Sequence, residues 1–125
     1  NKKQTRYLCI CSMGKNRSPM AVEILYSLAK LKGIEIYAES YGIDNPQHYM
    51  TSSKVEYFDY VLVMDVLKQW EVESSCEISE DRIINLDVPD KYDLKIPKER
   101  KNLRRILRRR LEKLIGWLFI IITNI

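Results

Sequence analysis

Tyr7-Leu8-Cys9-Ile10-Cys11-Ser12-Met13-Gly14-Lys15-Asn16-Arg17-Ser18-Pro19-Met20 passes from an apolar run, through a loop, into a helix start. Arg6–Ile10 is short, apolar and bounded by a Ser/Gly-containing loop, which predicts a buried strand. Ser18-Pro19 supplies an N-cap residue followed by proline in the first helical position. Met20, Ile24, Leu25, Leu28 and Leu31 then recur at helical spacing, and Gly33 closes the helix.

A helix N-terminus presents unpaired N–H groups and a partial positive charge. A loop curled above it can ring an oxyanion with amide donors, and Ser12, Met13, Gly14, Lys15, Asn16, Arg17 and Ser18 form such a segment. The same field favours the charged, nucleophilic form of a thiol, which singles out Cys11. Arg17 follows after five intervening residues and offers a planar fork able to hold two phosphoryl oxygens. Cys9, inside the apolar run, reads instead as a buried strand thiol.

Working outward, Ile34–Ala38 reads as a second strand and Ser40–Tyr49 as a loop. A short helix is expected near Ser52–Phe58, then the apolar strand Tyr60–Met64. Val66–Val72 reads as a helix, Ser74–Asp81 as a polar loop and Arg82–Leu86 as a fourth strand. Asp87–Pro97 is loop, followed by a basic amphipathic helix over Lys98–Leu114 with a stripe at Leu103, Ile106, Leu107, Leu111 and Leu114. Strands alternating with helices imply an α/β fold: a three-layer, doubly wound sandwich on a four-stranded parallel sheet. Ligands of such sheets bind at the carboxyl ends of the strands. The Cys11 loop and the Asp87–Tyr92 loop both leave strand ends of that kind.

A chain of 125 residues, 46% apolar, has room for one packed core. The expected organisation is a domain over 1–114 and an apolar extension over 115–125. Three cysteines without an apolar export segment after Asn1 set the expectation of a cytoplasmic protein with free thiols. Residues 1–90 carry ten basic and fourteen acidic side chains; residues 91–125 carry eleven and three. That basic end, beside Trp117 and Phe119, raises a membrane-surface contact, against core packing of Leu114–Leu118. Leu114–Ile122 is too short to span a bilayer. Nucleic acid is not an expected partner, because the aromatics are not interleaved with the basic residues. The lone His48 speaks against a metal site or a histidine-based catalytic pair.

These residues resemble the low-molecular-weight protein tyrosine phosphatases. The resemblance is carried by Cys11–Arg17 with Ser18-Pro19-Met20-Ala21, by Glu39-Ser40-Tyr41-Gly42, by Tyr57–Asp65 and by Asp87-Val88-Pro89-Asp90-Lys91-Tyr92. It implies a phosphotyrosine phosphatase I-like fold and a two-step mechanism without metal or cofactor. The implied substrates are phosphotyrosine protein or a small aryl phosphate, with inorganic phosphate as product and inhibitor. By the same resemblance Cys11 attacks phosphorus, Arg17 and the loop amides hold the oxygens, Ser18 supports the thiolate and Asp90 serves as acid and then base. Tyr92 is the implied aromatic wall, and Tyr41 and Tyr49 the implied mouth of the pocket. Lys91 stands where the family has proline, which leaves Asp87 and Asp93 as alternative acids. Asn16 stands where the family often has a second cysteine, and Gly14 where it commonly has asparagine.

Three other readings compete. An arsenate reductase on this fold needs further cysteines, and Cys76 is the only downstream one. A phosphate-binding or membrane-surface adaptor without turnover would use the same loop, or the basic end alone. A sugar phosphotransferase subunit can also carry a phosphocysteine on such a fold, but Arg17 is not expected there.

Overall fold

The computed structural model describes residues 4–45 and 50–123, the side chains of 117–123 excepted. Four strands, β1 (Thr5–Cys11), β2 (Ile36–Gly42), β3 (Tyr60–Val63) and β4 (Ile83–Asn85), form one parallel sheet in the order β2-β1-β3-β4. They alternate with helices α1 (Arg17–Lys32), α2 (Ser52–Glu56), α3 (Val66–Ser75) and α4 (Pro97–Thr123), and a 3-10 turn over Glu80–Arg82 leads into β4.

The alternation of side chains along β1 divides the core in two. Tyr7, Cys9 and Cys11 face a layer built from α1 and α4, where Ile24, Leu25, Leu103, Leu107 and Leu111 are buried. Leu8 and Ile10 face the other layer, with Val55, Phe58, Val72 and Cys76 from α2, α3 and the residues that follow them. The three-layer parallel architecture expected from the sequence is therefore the one observed. In this order β1 has β2 on one side and β3 on the other. The carboxyl ends of β1 and β3 are thus the switch point where doubly wound sheets bind ligands.

Several boundaries differ from the sequence reading. β2 begins at Ile36 and continues through Ser40-Tyr41-Gly42, which had read as loop, because these residues pair with Cys9, Ile10 and Cys11. Leu31 is 73% exposed and lies off the buried stripe of α1. Gly33 does close α1, at φ +66° with its N–H on the Ala29 and Lys30 carbonyls, a left-handed conformation open to glycine. α4 continues as helix past Leu114 to Thr123, so the apolar end is not a strand. Leu114 and Ile115 are buried in the core, whereas the side chains of Trp117 and Phe119 lie outside the described residues. Among the described residues no helix is long and apolar enough to cross a membrane.

Candidate active site

β1 ends on Cys11, and the chain turns back over the thiol before α1 begins. Gly14 makes that turn at φ +73°, and its N–H donates to the Cys11 sulfur at 3.2 Å. The Ser18 hydroxyl approaches the sulfur from behind at 3.0 Å. Ser18 is therefore not the helix cap expected from the sequence. Asn16 occupies the cap position, its side chain makes no capping bond, and Ser18 is fully buried against the thiol. The first N–H groups of α1 are thus left without a side-chain acceptor, the condition under which a helix start binds an anion.

The loop is held from the side by the end of β2. The N–H groups of Ile43 and Asp44 donate to the Cys11 and Ser12 carbonyls at 3.0 and 2.7 Å, and Asn45 Nδ2 donates to the Met13 carbonyl at 3.2 Å. Gly42 permits this approach: a Cβ there would fall onto the Met13 carbonyl group and the Gly14 nitrogen. Both glycines are thus required by geometry, one for its φ and one for its lack of a side chain.

The Arg17 side chain is 3% exposed. Its Nη1 donates to Asp65 Oδ2 at 3.0 Å and to the Val88 carbonyl at 2.7 Å. A guanidinium has five N–H donors in a fixed fork, so these two bonds fix the group and leave the Nε–Nη2 edge for another ligand. Nη2 lies 3.7 Å from Asp90 Oδ2, on a carboxylate that is 62% exposed. Asp65 was not assigned a role by sequence reasoning. It follows β3, its Oδ1 caps α3 by accepting the Lys68 N–H at 3.0 Å, and its other oxygen holds Arg17. Burial works to raise the Asp65 pKa, but the Lys68 N–H and the Arg17 guanidinium outweigh it and keep the carboxyl below its usual range.

A second buried cation ties the loop after β2 to α3. Lys68 Nζ meets Asp44 at 3.0 Å and Glu71 at 2.7 Å. Burial opposes its charge, yet Glu71 and Asp44 more than offset this and raise its pKa. Lys68 in turn holds the Asp44 carboxyl below its usual range, with a contribution from the Ser12 hydroxyl. Sequence reasoning missed this cluster too, since its three residues lie on separate elements or read as ordinary surface charges.

Cys11, Ser12, Met13, Lys15, Asn16, Arg17 and Asp90 line a cavity of about 80 Å³. Small-molecule pockets are commonly ~300–1,000 Å³, so this one accepts a group of oxyanion size rather than a whole organic ligand. Of the three aspartates in the loop after β4, only Asp90 lines it. Asp87 is exposed at φ +54°, and Asp93 Oδ1 accepts the Lys95 N–H in a turn.

The aromatic residues are placed differently from expectation. Tyr41 is 4% exposed and belongs to the core layer under α2 and α3. Its register partner is Ile10, so it faces away from the layer that holds Cys11. Tyr92 is half-buried and lines a neighbouring groove along α4 rather than the cavity itself. Tyr49 and His48 lie outside the described residues. Cys9 is completely buried, and burial pushes its thiol far above the ordinary range. Cys76 is buried on the opposite face, its thiol also raised by burial.

No protein-family model matches the chain, and no curated protein matches it. Solved structures do. A low molecular weight phosphotyrosine phosphatase from Vibrio cholerae O395 superposes with a TM-score of 0.80 at 16% identity, covering 91% of this chain and 96% of that one. A low molecular weight protein tyrosine phosphatase from T. tengcongensis gives 0.77 at 22% identity, covering 90% and 99%. Wzb from Vibrio vulnificus, solved in complex with benzylphosphonate, gives 0.75 at 14% identity, covering 90% and 97%. The fold resemblance read from the sequence thus extends over nearly the whole chain.

Proposed function

We propose that this protein is a cysteine-dependent phosphatase that hydrolyses phosphate monoesters, protein phosphotyrosine above all, through a phosphocysteine intermediate. The observation that carries the reading is the cavity of about 80 Å³ whose lining brings together Cys11, the fixed Arg17 and the exposed carboxylate of Asp90. A phosphoryl group seated there is met by the loop amides, by the N–H groups of α1 and by the Nε–Nη2 edge of Arg17. All of these stabilise charge on its equatorial oxygens. The Cys11 thiolate attacks phosphorus while the ester P–O bond breaks, and Asp90, protonated at the start, gives its proton to the departing oxygen. Water then attacks the thiophosphate, Asp90 takes its proton, the S–P bond breaks, and inorganic phosphate leaves with the thiolate restored.

The Gly14 N–H and the Ser18 hydroxyl, both within hydrogen-bond distance of the sulfur, support the charged form during each step. A cavity of about 80 Å³ takes the phosphoryl group alone, and a flat aryl ester can present that group from outside. The benzylphosphonate bound by Vibrio vulnificus Wzb is a ligand of that shape. Three free cysteines suit a cytoplasmic setting, where thiols stay reduced. Hydrolysis of p-nitrophenyl phosphate by the native chain, lost in Cys11→Ser while phosphate binding persists, tests the reading. Equal turnover in the two forms would overturn it.

A further inference from the structure

A groove of about 430 Å³ runs between Lys91-Tyr92, in the loop after β4, and α4. Lys91 and Tyr92 form one wall; Asn102, Arg105, Ile106 and Arg109 form the other. Asp90 lines the cavity and Lys91, the next residue, lines the groove, so their Cα atoms lie about 3.8 Å apart.

The charges in this groove are distinctive. Five arginines lie between positions 104 and 110. Arg104 pairs with Glu23 at 3.5 Å, Arg108 with Glu112 at 2.8 Å, and Arg110 donates to the Leu86 carbonyl at 3.0 Å. Arg105 and Arg109 have no carboxylate partner among the described residues. They lie four apart on one helix face and are exposed. Lys91, from the opposite wall, places its ammonium 5.6 Å from the Tyr92 ring centroid. The one acidic residue of the groove, Glu99, accepts the Asp93 N–H at 3.2 Å and is drawn to the loop. Three cations and the single carboxylate of Glu99 therefore line a trough with an apolar floor of Tyr92 and Ile106, which leaves a surplus of positive charge.

We infer that this groove docks an acidic segment flanking the phosphorylated residue of the protein substrate. The inference rests on the proposed phosphatase reading and names the substrate class that reading leaves open. An extended peptide advances about 3.3–3.6 Å per residue, so carboxylates one to four positions from the phosphotyrosine fall along the groove. Their pairing with Arg105, Arg109 and Lys91 is solvent-exposed, and screening by salt weakens it.

The experiment uses two phosphotyrosine peptides identical except that glutamates flank the tyrosine in one and glutamines in the other. It compares the native chain with an Arg105→Gln/Arg109→Gln double variant, whose exposed helix positions keep a good helix former. The kcat/KM is measured for both peptides and for p-nitrophenyl phosphate. Fluorescence anisotropy measures binding of the same peptides carrying a non-hydrolysable phosphonate, which reads the groove independently of turnover. The expected result is an approximately tenfold preference for the acidic peptide at low salt, lost in the double variant and at high salt, with p-nitrophenyl phosphate turnover unchanged. Equal binding of the two peptides, or a preference that survives in the double variant, overturns the inference. So does binding to anionic phosphatidylserine vesicles that depends on the two arginines when no peptide preference exists, since the basic face then serves a membrane. Absence of p-nitrophenyl phosphate hydrolysis with the peptide preference intact overturns the phosphatase reading and leaves the groove assigned.

Discussion

Asp65 links the fold to the chemistry, and its replacement separates charge from shape. One carboxylate oxygen accepts from buried Arg17 at 3.0 Å, and the other caps α3. Removing one partner of a fully buried ion pair costs about 3–5 kcal/mol, whereas an exposed pair contributes about 0–1 kcal/mol. With Arg17 3% and Asp65 27% exposed, Asp65→Ala falls between these limits, at roughly 2–4 kcal/mol, of which ~1 kcal/mol is the lost cap. Asp65→Asn keeps the shape but offers a single oxygen to two donors, so either the Arg17 guanidinium or the Lys68 N–H is left facing the amide NH2, at about 1–3 kcal/mol. Because the folded-state pKa of Asp65 lies below its unfolded value, its contribution is present above about pH 4 and is lost as pH falls through the folded value. The stability gap between native and Asp65→Asn, measured by urea unfolding followed by circular dichroism, is therefore full at pH 7 and narrows as the pH falls through the lowered folded-state value. A guanidinium displaced by about 1 Å costs on the order of 10² in rate, so kcat on p-nitrophenyl phosphate falls 10- to 100-fold with a smaller change in KM. An Asn variant with native stability at pH 7 and native kcat would refute the claim that Asp65 positions Arg17.

Asp90→Asn is expected to reduce kcat on a phosphotyrosine peptide by about 10²–10⁴. It should reduce kcat far less on an aryl phosphate whose leaving group needs no proton, and a comparison of the two substrates checks this. Equal losses on both, or a selective loss in Asp87→Asn or Asp93→Asn, would move the acid elsewhere. Gly42→Ala pushes a methyl group into the Met13–Gly14 backbone. The resulting strain costs about 1–3 kcal/mol and distorts the loop, so phosphate affinity measured by calorimetry drops along with thermal stability. Native phosphate affinity in Gly42→Ala would show that the loop tolerates the displacement.

The sheet was readable because β1 and β3 are apolar runs and α1 and α4 carry clear stripes. The loop was readable because Cys11, Gly14, Arg17 and Pro19 are an unusual set for mere packing. What escaped was set by tertiary contacts. Ser18 carries a cap-forming side chain, but its hydroxyl is used on the Cys11 sulfur and the cap falls to Asn16. Ser40-Tyr41-Gly42 has turn-forming composition, yet pairing with β1 keeps it extended up to the residue where the loop must pass. Tyr41 could have been placed from parity: it lies an odd number of residues from Ile36 and Ala38, which face the α1–α4 layer. Asp65 was detectable in principle as an acid between a strand end and a helix start. Its bond to Arg17 spans 48 positions and no local pattern encodes it. The Lys68–Asp44 pair spans 24 and was hidden for the same reason.

The proposed hydrolysis stands or falls on a covalent phosphocysteine at Cys11. Acid quench of the native chain during turnover of an aryl phosphate, followed by peptide mass spectrometry, tests it most directly. One phosphoryl group is expected on the peptide containing Cys11, accumulating further in Asp90→Asn, where the base that activates water is missing, and absent in Cys11→Ser. Steady turnover without any modified cysteine, or a phosphoryl group on another residue, would contradict it.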